Sequence, residues 1–198
     1  MQQNDLFPMH HKLVQAAERE QKLGQKAVSI WMTGLSGSGK STLAIALERK
    51  LHEAGYLCMV LDGDNVRTGL NSNLSFTEAD RFENIRRIAE ASKLLNQAGV
   101  IVINAFISPL RAMRQMAKDI IGADKFYEIY IQADLAICEK RDVKGLYAKA
   151  RRGEIKHFTG IDTPYEPPQH PFLQIDTQVL SPEQCLEELY RAVVGLQK

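Results

Sequence analysis

The residues with the clearest chemistry are Gly34-Leu35-Ser36-Gly37-Ser38-Gly39-Lys40-Ser41, which fit the pattern GxxxxGK[ST]. Glycines let a backbone turn so that successive N–H groups point inward, and that concavity cradles the α- and β-phosphates of a nucleotide. Lys40 then reaches the β- and γ-phosphates and the Ser41 hydroxyl offers an oxygen to Mg²⁺, with Thr42 continuing the same run. A Gly/Ser-rich surface turn could carry the same letters. The flanks argue against it: Val28-Ser29-Ile30-Trp31-Met32 reads as a buried strand, and Thr42 to Leu51 has helical periodicity. Strand, loop and helix in that order are the context a phosphate-binding loop requires, so the sequence implies a chain that handles ATP or GTP.

Ligands of an open α/β sheet gather beyond the carboxyl ends of its strands, so the residues after each apolar run come next. Tyr56 to Leu61 leads into Asp62-Gly63-Asp64-Asn65-Val66-Arg67, where two carboxylates and an arginine suit Mg²⁺ coordination, orientation of an acceptor hydroxyl and binding of an anionic acceptor. An Asp- and Asn-rich turn is the plain alternative, outweighed by the neighbouring phosphate loop. The run Val100 to Ala105 ends instead in Asn104-Ala105-Phe106, without an acid. Asp62 is therefore the best substitute for the carboxylate that many such enzymes carry there. Arg81, Asn84 and Arg87 are spaced by three and can share a helix face near Phe76; they form either a solvated charged face or a seat for a planar base with an anionic tail.

These groups need elements to position them. The 198 residues are 44% hydrophobic, enough for one domain with a substantial core. Residues 1–24 read as an N-terminal extension, loose to about residue 10 and amphipathic over roughly 11–23, and 25–198 as the domain proper. Capping at Thr77-Glu78-Ala79-Asp80 opens a long helix to about Gln97, a helix follows at roughly 110–121, a strand at Phe126 to Ile131 and a short helix near 135–141. Ser181-Pro182-Glu183-Gln184, a cap with proline at N1 and glutamine at N3, opens the last helix after a short strand near Phe172–Ile175. Continuous apolar strands alternating with helices predict a parallel sheet covered on both faces. The segment from about 142 to 171 breaks that alternation. It is rich in Lys, Arg, Gly and Pro, with few apolar residues to anchor it, and reads as a basic lid, mobile until phosphates arrive.

Lys and Arg total 25 against 24 Asp and Glu, so overall charge gives no reason to expect nucleic acid or an anionic membrane as a partner. No bilayer-length apolar run and no basic, apolar signal sequence occur, and Cys58, Cys138 and Cys185 lack metal-ligand spacing; the chain is expected to be soluble and cytoplasmic, its thiols free. The tandem His10-His11 pair is read as solvated.

Beyond these features, the chain resembles the adenylylsulfate (APS) kinase family. The likeness runs from about Gln25 to the C-terminus through GLSGSGKST (Gly34–Thr42), LDGDNVR (Leu61–Arg67), GLNSNL (Gly69–Leu74), DRFENIRRIAE (Asp80–Glu90), FISP (Phe106–Pro109), CEKRDVKGLY (Cys138–Tyr147) and FTGID (Phe158–Asp162). The resemblance implies a P-loop NTPase-type α/β fold and transfer of the γ-phosphoryl group of ATP to the ribose 3′-hydroxyl of APS, giving PAPS and ADP with Mg²⁺. It implies that Asp62 orients or deprotonates that hydroxyl and, with Ser41, places the metal. Arg67, Arg81 and Asn84 would hold the phosphosulfate, Phe76 and Phe158 would sandwich the adenine of APS, and Ile107 and Ser108 would border the acceptor without an obligatory phosphoserine at Ser108. Lys144 would stabilise charge on the transferred group, Arg141 would contact the ATP base, and a homodimer is expected. Two other functions stay open from the residues alone: a kinase for another small metabolite, and a non-catalytic module that senses PAPS.

Overall fold

The computed structural model describes Met9 and residues 12–198. His10 and His11 lie outside the described residues. Five strands, β1 (Ser29–Thr33), β2 (Cys58–Asp62), β3 (Ile101–Ala105), β4 (Phe126–Gln132) and β5 (Leu173–Asp176), make one sheet in the order β2-β3-β1-β4-β5, and every neighbouring pair is parallel. From β1 the chain crosses to the far edge for β2, returns to lay β3 between the two, then switches to the other side for β4 and β5. Such a switch point opens a crevice at the carboxyl ends of the strands, and here it falls at β1, directly before the phosphate loop.

The pleat explains the two-sided core. All five residues of β1 are buried, with Ile30 and Met32 on one face and Trp31 on the other. Ile30 and Met32 meet Leu43, Leu47 and Leu51 of α2 (Lys40–Glu53) and Leu189 and Val193 of α8 (Pro182–Gly195). Trp31 meets α4 (Glu78–Gln97) and α5 (Arg111–Ile121) through Ile85, Ile88, Met113 and Ala117, and its ring lies 5.9 Å from Phe106 and 5.6 Å from Phe126 between centroids. The helices α4 and α8 start where their sequence signals lie: Thr77 Oγ1 accepts from the Asp80 N–H at 3.2 Å, and Ser181 forms a capping box with Gln184, whereas the N-terminal helix expected over roughly 11–23 begins only at Ala16. Asp80 does not complete a box with Thr77, because its carboxylate turns to Ser75.

The helix α1 (Ala16–Leu23) belongs to the extension and docks at the end of the sheet opposite the crevice, where Arg19 Nη1 donates to the Gln97 carbonyl at 2.8 Å and Glu20 pairs with Lys125 at 2.8 Å. Among the described residues, no helix is long and apolar enough to cross a membrane. Cys58, Cys138 and Cys185 carry free thiols.

Two elements depart from the sequence reading. Gly63–Arg67 forms a short helix, α3, because the Asp62 carboxylate accepts the Asp64 N–H at 3.0 Å and caps it. Within 142–171, Leu146–Arg151 forms α7, whose Tyr147 and Ala150 share a small core with Phe158, Cys138 and Ala133. The apolar residues of that segment are few, yet they cluster against α6 (Leu135–Arg141) instead of being spread over a surface. Much of the presumed lid thus has an anchor of its own.

Candidate active site

A cleft of about 730 Å³ opens at the carboxyl ends of β1, β2 and β3. The phosphate loop forms its floor. Gly34 does not line the cleft; at φ 153° it turns the chain where a Cβ would strike the Ile131 carbonyl and the Ser38 hydroxyl. Ser36, Gly37, Ser38, Gly39, Lys40, Ser41 and Thr42 do line it, and Gly39, at φ 104°, precedes the first turn of α2. That helix N-terminus points unpaired N–H groups at the loop. Lys40 is 7% exposed and its ammonium donates to the carbonyls of Gly34 at 2.9 Å and Leu35 at 2.7 Å. Burial pulls its pKa down from 10.5 to about 8, only partly opposed by the Cys138 and Asp62 charges. A cation held at that expense gains most from an incoming phosphate.

Ser41 Oγ donates to Asp62 Oδ2 at 2.7 Å. The carboxylate therefore comes from the outer strand β2 and reaches across β3, whose end carries Ala105 and Phe106. Among the described residues there is no cluster of three His, Cys, Asp or Glu side chains able to hold a metal by themselves. One hydroxyl and one carboxylate, beside a phosphate loop, fit the ligand set of Mg²⁺, which keeps waters and takes substrate phosphate oxygens.

The other wall of the cleft is built from loops and helix ends. Arg67 Nη1 donates to the carbonyls of Leu74 at 3.0 Å and Ser75 at 3.1 Å, and its guanidinium lies 4.3 Å from the Phe76 ring centroid. Arg81 donates from Nε to the Phe76 carbonyl at 3.0 Å, from Nη1 to Thr159 Oγ1 at 3.0 Å, and from Nη2 to the His157 carbonyl. Its pKa is lowered by burial first and by the charge of Arg67 second. Two guanidiniums that repel each other in one wall make a seat for an anion. Asn84 lines the same wall, but Arg87 does not, since it is bound to Glu83, Asn73 and the Leu70 carbonyl.

Phe76 is 61% exposed whereas Phe158 is 8% exposed, its ring set edge-on to Tyr147 at 4.9 Å. Both line the cleft, with unequal freedom. Lys144, between α6 and α7, pairs with Asp64 across the mouth, both side chains being largely exposed. Arg141 donates to Thr177 Oγ1 at 3.0 Å, the Thr177 carbonyl at 2.6 Å and the Gly37 carbonyl at 3.3 Å, which joins the phosphate loop to the β5–α8 turn.

Ile107 and Ser108 close the back of the cleft, with Ser108 at φ 37°. Trp31 Nε1 donates to Ser108 Oγ at 3.1 Å, Thr33 Oγ1 donates to the Ile107 carbonyl at 2.7 Å, and Arg114 Nη1 donates to the Ser108 carbonyl at 2.7 Å. Arg114 is 3% exposed and also binds Glu128 and the Glu166 carbonyl. The sequence reading missed Arg114, Thr33, Tyr147 and Thr177. Only Arg114 left a signal, as a charge adjoining Met113, Ala117 and Ile121 on the apolar side of an otherwise clean amphipathic helix.

A phosphate loop at the switch point of a parallel sheet, a hydroxyl–carboxylate pair beside it and a wall lined by two guanidiniums define a P-loop kinase. Residues 26–176 match the family model described as adenylylsulphate kinase. The chain is 59% identical over 191 residues to an adenylyl-sulfate kinase of Bacteroides fragilis, covering 96% of this chain and 95% of that protein. Its fold matches the APS kinase of Mycobacterium tuberculosis, solved in complex with AMPPNP and APS, with a TM-score of 0.82 and 46% identity over 86% of this chain and 99% of that one. A hexameric APS kinase from Thiobacillus denitrificans matches with a TM-score of 0.66 and 32% identity, over 91% of this chain and 31% of that chain. The chain belongs to the adenylylsulfate kinase family.

Proposed function

We propose that the chain transfers the γ-phosphoryl group of ATP to the ribose 3′-hydroxyl of adenosine 5′-phosphosulfate, giving PAPS and ADP. The observation that carries this reading is the division of one cleft into a phosphate loop with Ser41 and Asp62 on one side and Arg67, Arg81, Asn84 and Phe76 on the other. A neutral sugar has no use for two half-buried guanidiniums beside an aromatic ring, whereas a nucleoside phosphosulfate uses all three.

The loop N–H groups and Lys40 hold the ATP phosphates, and Arg141 and Thr177 border the base. Ser41 and Asp62 would hold Mg²⁺, which supplies neutralisation of charge on the bridging and terminal phosphate oxygens. Arg67, Arg81 and Asn84 bind the phosphosulfate, and Phe76 and Phe158 hold the adenine, so that the 3′-oxygen faces the γ-phosphorus. The new O–P bond forms as the bond from the γ-phosphorus to the bridging oxygen breaks, and the hydroxyl proton passes to Asp62. Lys144 leaves Asp64 to meet the charge on the transferring group. Ser108 needs no covalent role: its hydroxyl is buried under Trp31 and helps to fix the loop.

The test is a coupled ADP-release assay with APS, gluconate and shikimate as acceptors, with ³¹P NMR of the product. The reading requires ADP release with APS alone and a new 3′-phosphomonoester with the phosphosulfate intact; turnover with another acceptor and none with APS would refute it. We also propose a cytoplasmic homodimer. The edge strand β2, with half-exposed Met59 and, just before the strand, Leu57, supports self-association, and the free thiols support a reducing compartment. Light scattering at micromolar concentration tests the dimer.

A further inference from the structure

Asn84 presents the cleft with an amide, and an amide can face an anion with either its NH₂ or its carbonyl. Only the first is attractive. The orientation is set from behind the cleft wall by Asn71, which is 0% exposed and donates from Nδ2 to Asn84 Oδ1 at 3.0 Å. With that oxygen engaged, the Asn84 NH₂ is left for the cleft, which Asn84 lines.

The reverse arrangement is disfavoured by the cost of orphaned groups. As the two amides stand, the one buried atom of this pair without a partner is the Asn71 carbonyl oxygen, Oδ1. Flipping both amides would instead strand the Asn71 NH₂, with two unsatisfied donors, in the same fully buried position. Orphaned buried N–H groups are rarer and costlier than under-satisfied carbonyl oxygens.

The loop that carries Asn71 is held in place. The Asn71 N–H donates to the Val66 carbonyl at 2.8 Å, and the Asn71 carbonyl accepts from the Leu74 N–H at 3.1 Å. Arg67 fixes the carbonyls of Leu74 and Ser75, and Arg87 fixes the Leu70 carbonyl and Asn73 Oδ1. This gives Arg87, which lies outside the cleft, a part in the same structure.

We infer that Asn71 is a positioning residue that makes Asn84 an obligate hydrogen-bond donor and thereby tunes the acceptor wall for an anionic group. The inference rests on the assignment of Asn84 to the phosphosulfate of APS.

The test is a double-mutant cycle on the purified full chain, reading KM for APS, KM for ATP and kcat by ADP release. Asn84→Ala should raise KM for APS about tenfold, the scale of a lost hydrogen bond to a charged group. Asn71→Leu should raise it severalfold with KM for ATP unchanged, and adding Asn71→Leu to Asn84→Ala should bring no further rise. Asn71→Ser, whose hydroxyl is too short to reach Asn84, repeats the cycle with less disturbance should the leucine variant fail to fold. Multiplicative effects of the two sites, or parallel loss of affinity for ATP and APS, would overturn the inference and show Asn71 to be only a packing residue. An unchanged KM for APS in Asn84→Ala would overturn the assignment of Asn84 itself, and the inference with it.

Discussion

The two sides of the cleft are built by different means. On the donor side, the phosphate loop leaves the central strand, Gly34 and Gly37 lie close against the backbone of Ile131 and Cys138, and Lys40 is buried before any nucleotide arrives. On the acceptor side, the working groups are side chains on loops and helix ends. Phe76 stands 61% exposed, Val143 stands 88% exposed, and Lys144 is engaged with Asp64. On the roles proposed, the first side is made by the fold and the second is finished by the substrate. Phosphoryl transfer uses this division: the donor phosphates must be held rigidly, while the acceptor wall must admit APS and then exclude water, which competes for the same phosphoryl group.

The largest test of that difference is Lys40→Met. It should lower kcat on the order of 10³-fold, while the ligand-free chain melts no lower, because removing a cation held below its ordinary pKa by burial offsets the lost hydrogen bonds. In the wild type, the proton on Lys40 is bound more weakly in the folded chain than in the unfolded one. Folded-state stability from this group therefore rises as pH increases from about 8 towards 10.5. Nucleotide affinity should fall over the same range, since the phosphates need the ammonium, and titration calorimetry with an ATP analogue from pH 7 to 9.5 measures it. A flat profile would place Lys40 outside the phosphate site.

Asp62→Asn comes next, with kcat reduced on the order of 10²-fold or more and a much smaller change in ATP affinity, measured by ADP release and equilibrium binding. Equal losses in both would make Asp62 a ground-state ligand. Asp64→Asn should be mild, because that carboxylate is exposed and its pairing with Lys144 is a surface ion pair.

The two aromatic residues sharpen the comparison within the acceptor side. Both alanine variants should raise KM for APS about tenfold, the scale of a lost base-stacking contact. Phe76→Ala should leave the melting temperature almost unchanged. Phe158→Ala should also destabilise the ligand-free chain by about 3 kcal/mol, because its ring belongs to the Tyr147 core. Equal melting temperatures for the two variants would remove the distinction between an anchored and a free aromatic.

This division also explains what could be read from the sequence. The strand–loop–helix around Gly34–Ser41, the helix from Glu78 to Gln97 and the capping box at Ser181 depend on local periodicity and local hydrogen bonds, and they were legible. Asp62 stood out in the sequence because the end of β3 has no acid, and it lies against Ser41. Asn71 was not legible, and Arg114 showed only as a charge out of place on an apolar helix face, because burial of a polar side chain depends on partners distant in sequence: Asn84 for the first, Glu128 and Glu166 for the second. The residues 142–171 looked loose because composition counts apolar side chains without showing that Leu146, Tyr147, Ile155, Phe158 and Ile161 converge. The roles proposed for the residues of the acceptor wall come from the family resemblance and not from local patterns.

Hydrogen exchange on the ligand-free chain, and again with AMPPNP and APS together, tests most directly whether the donor side is preformed and the acceptor side only partly so. The amides of β1, the first turns of α2 and residues 147–150 and 158–161 should be protected without ligands, whereas 142–145 and 152–157 should exchange quickly and gain protection only when both ligands are present. Fast exchange throughout 142–171 in the ligand-free chain would contradict the anchored lid, and protection of 142–145 and 152–157 without ligands would contradict its mobile rim.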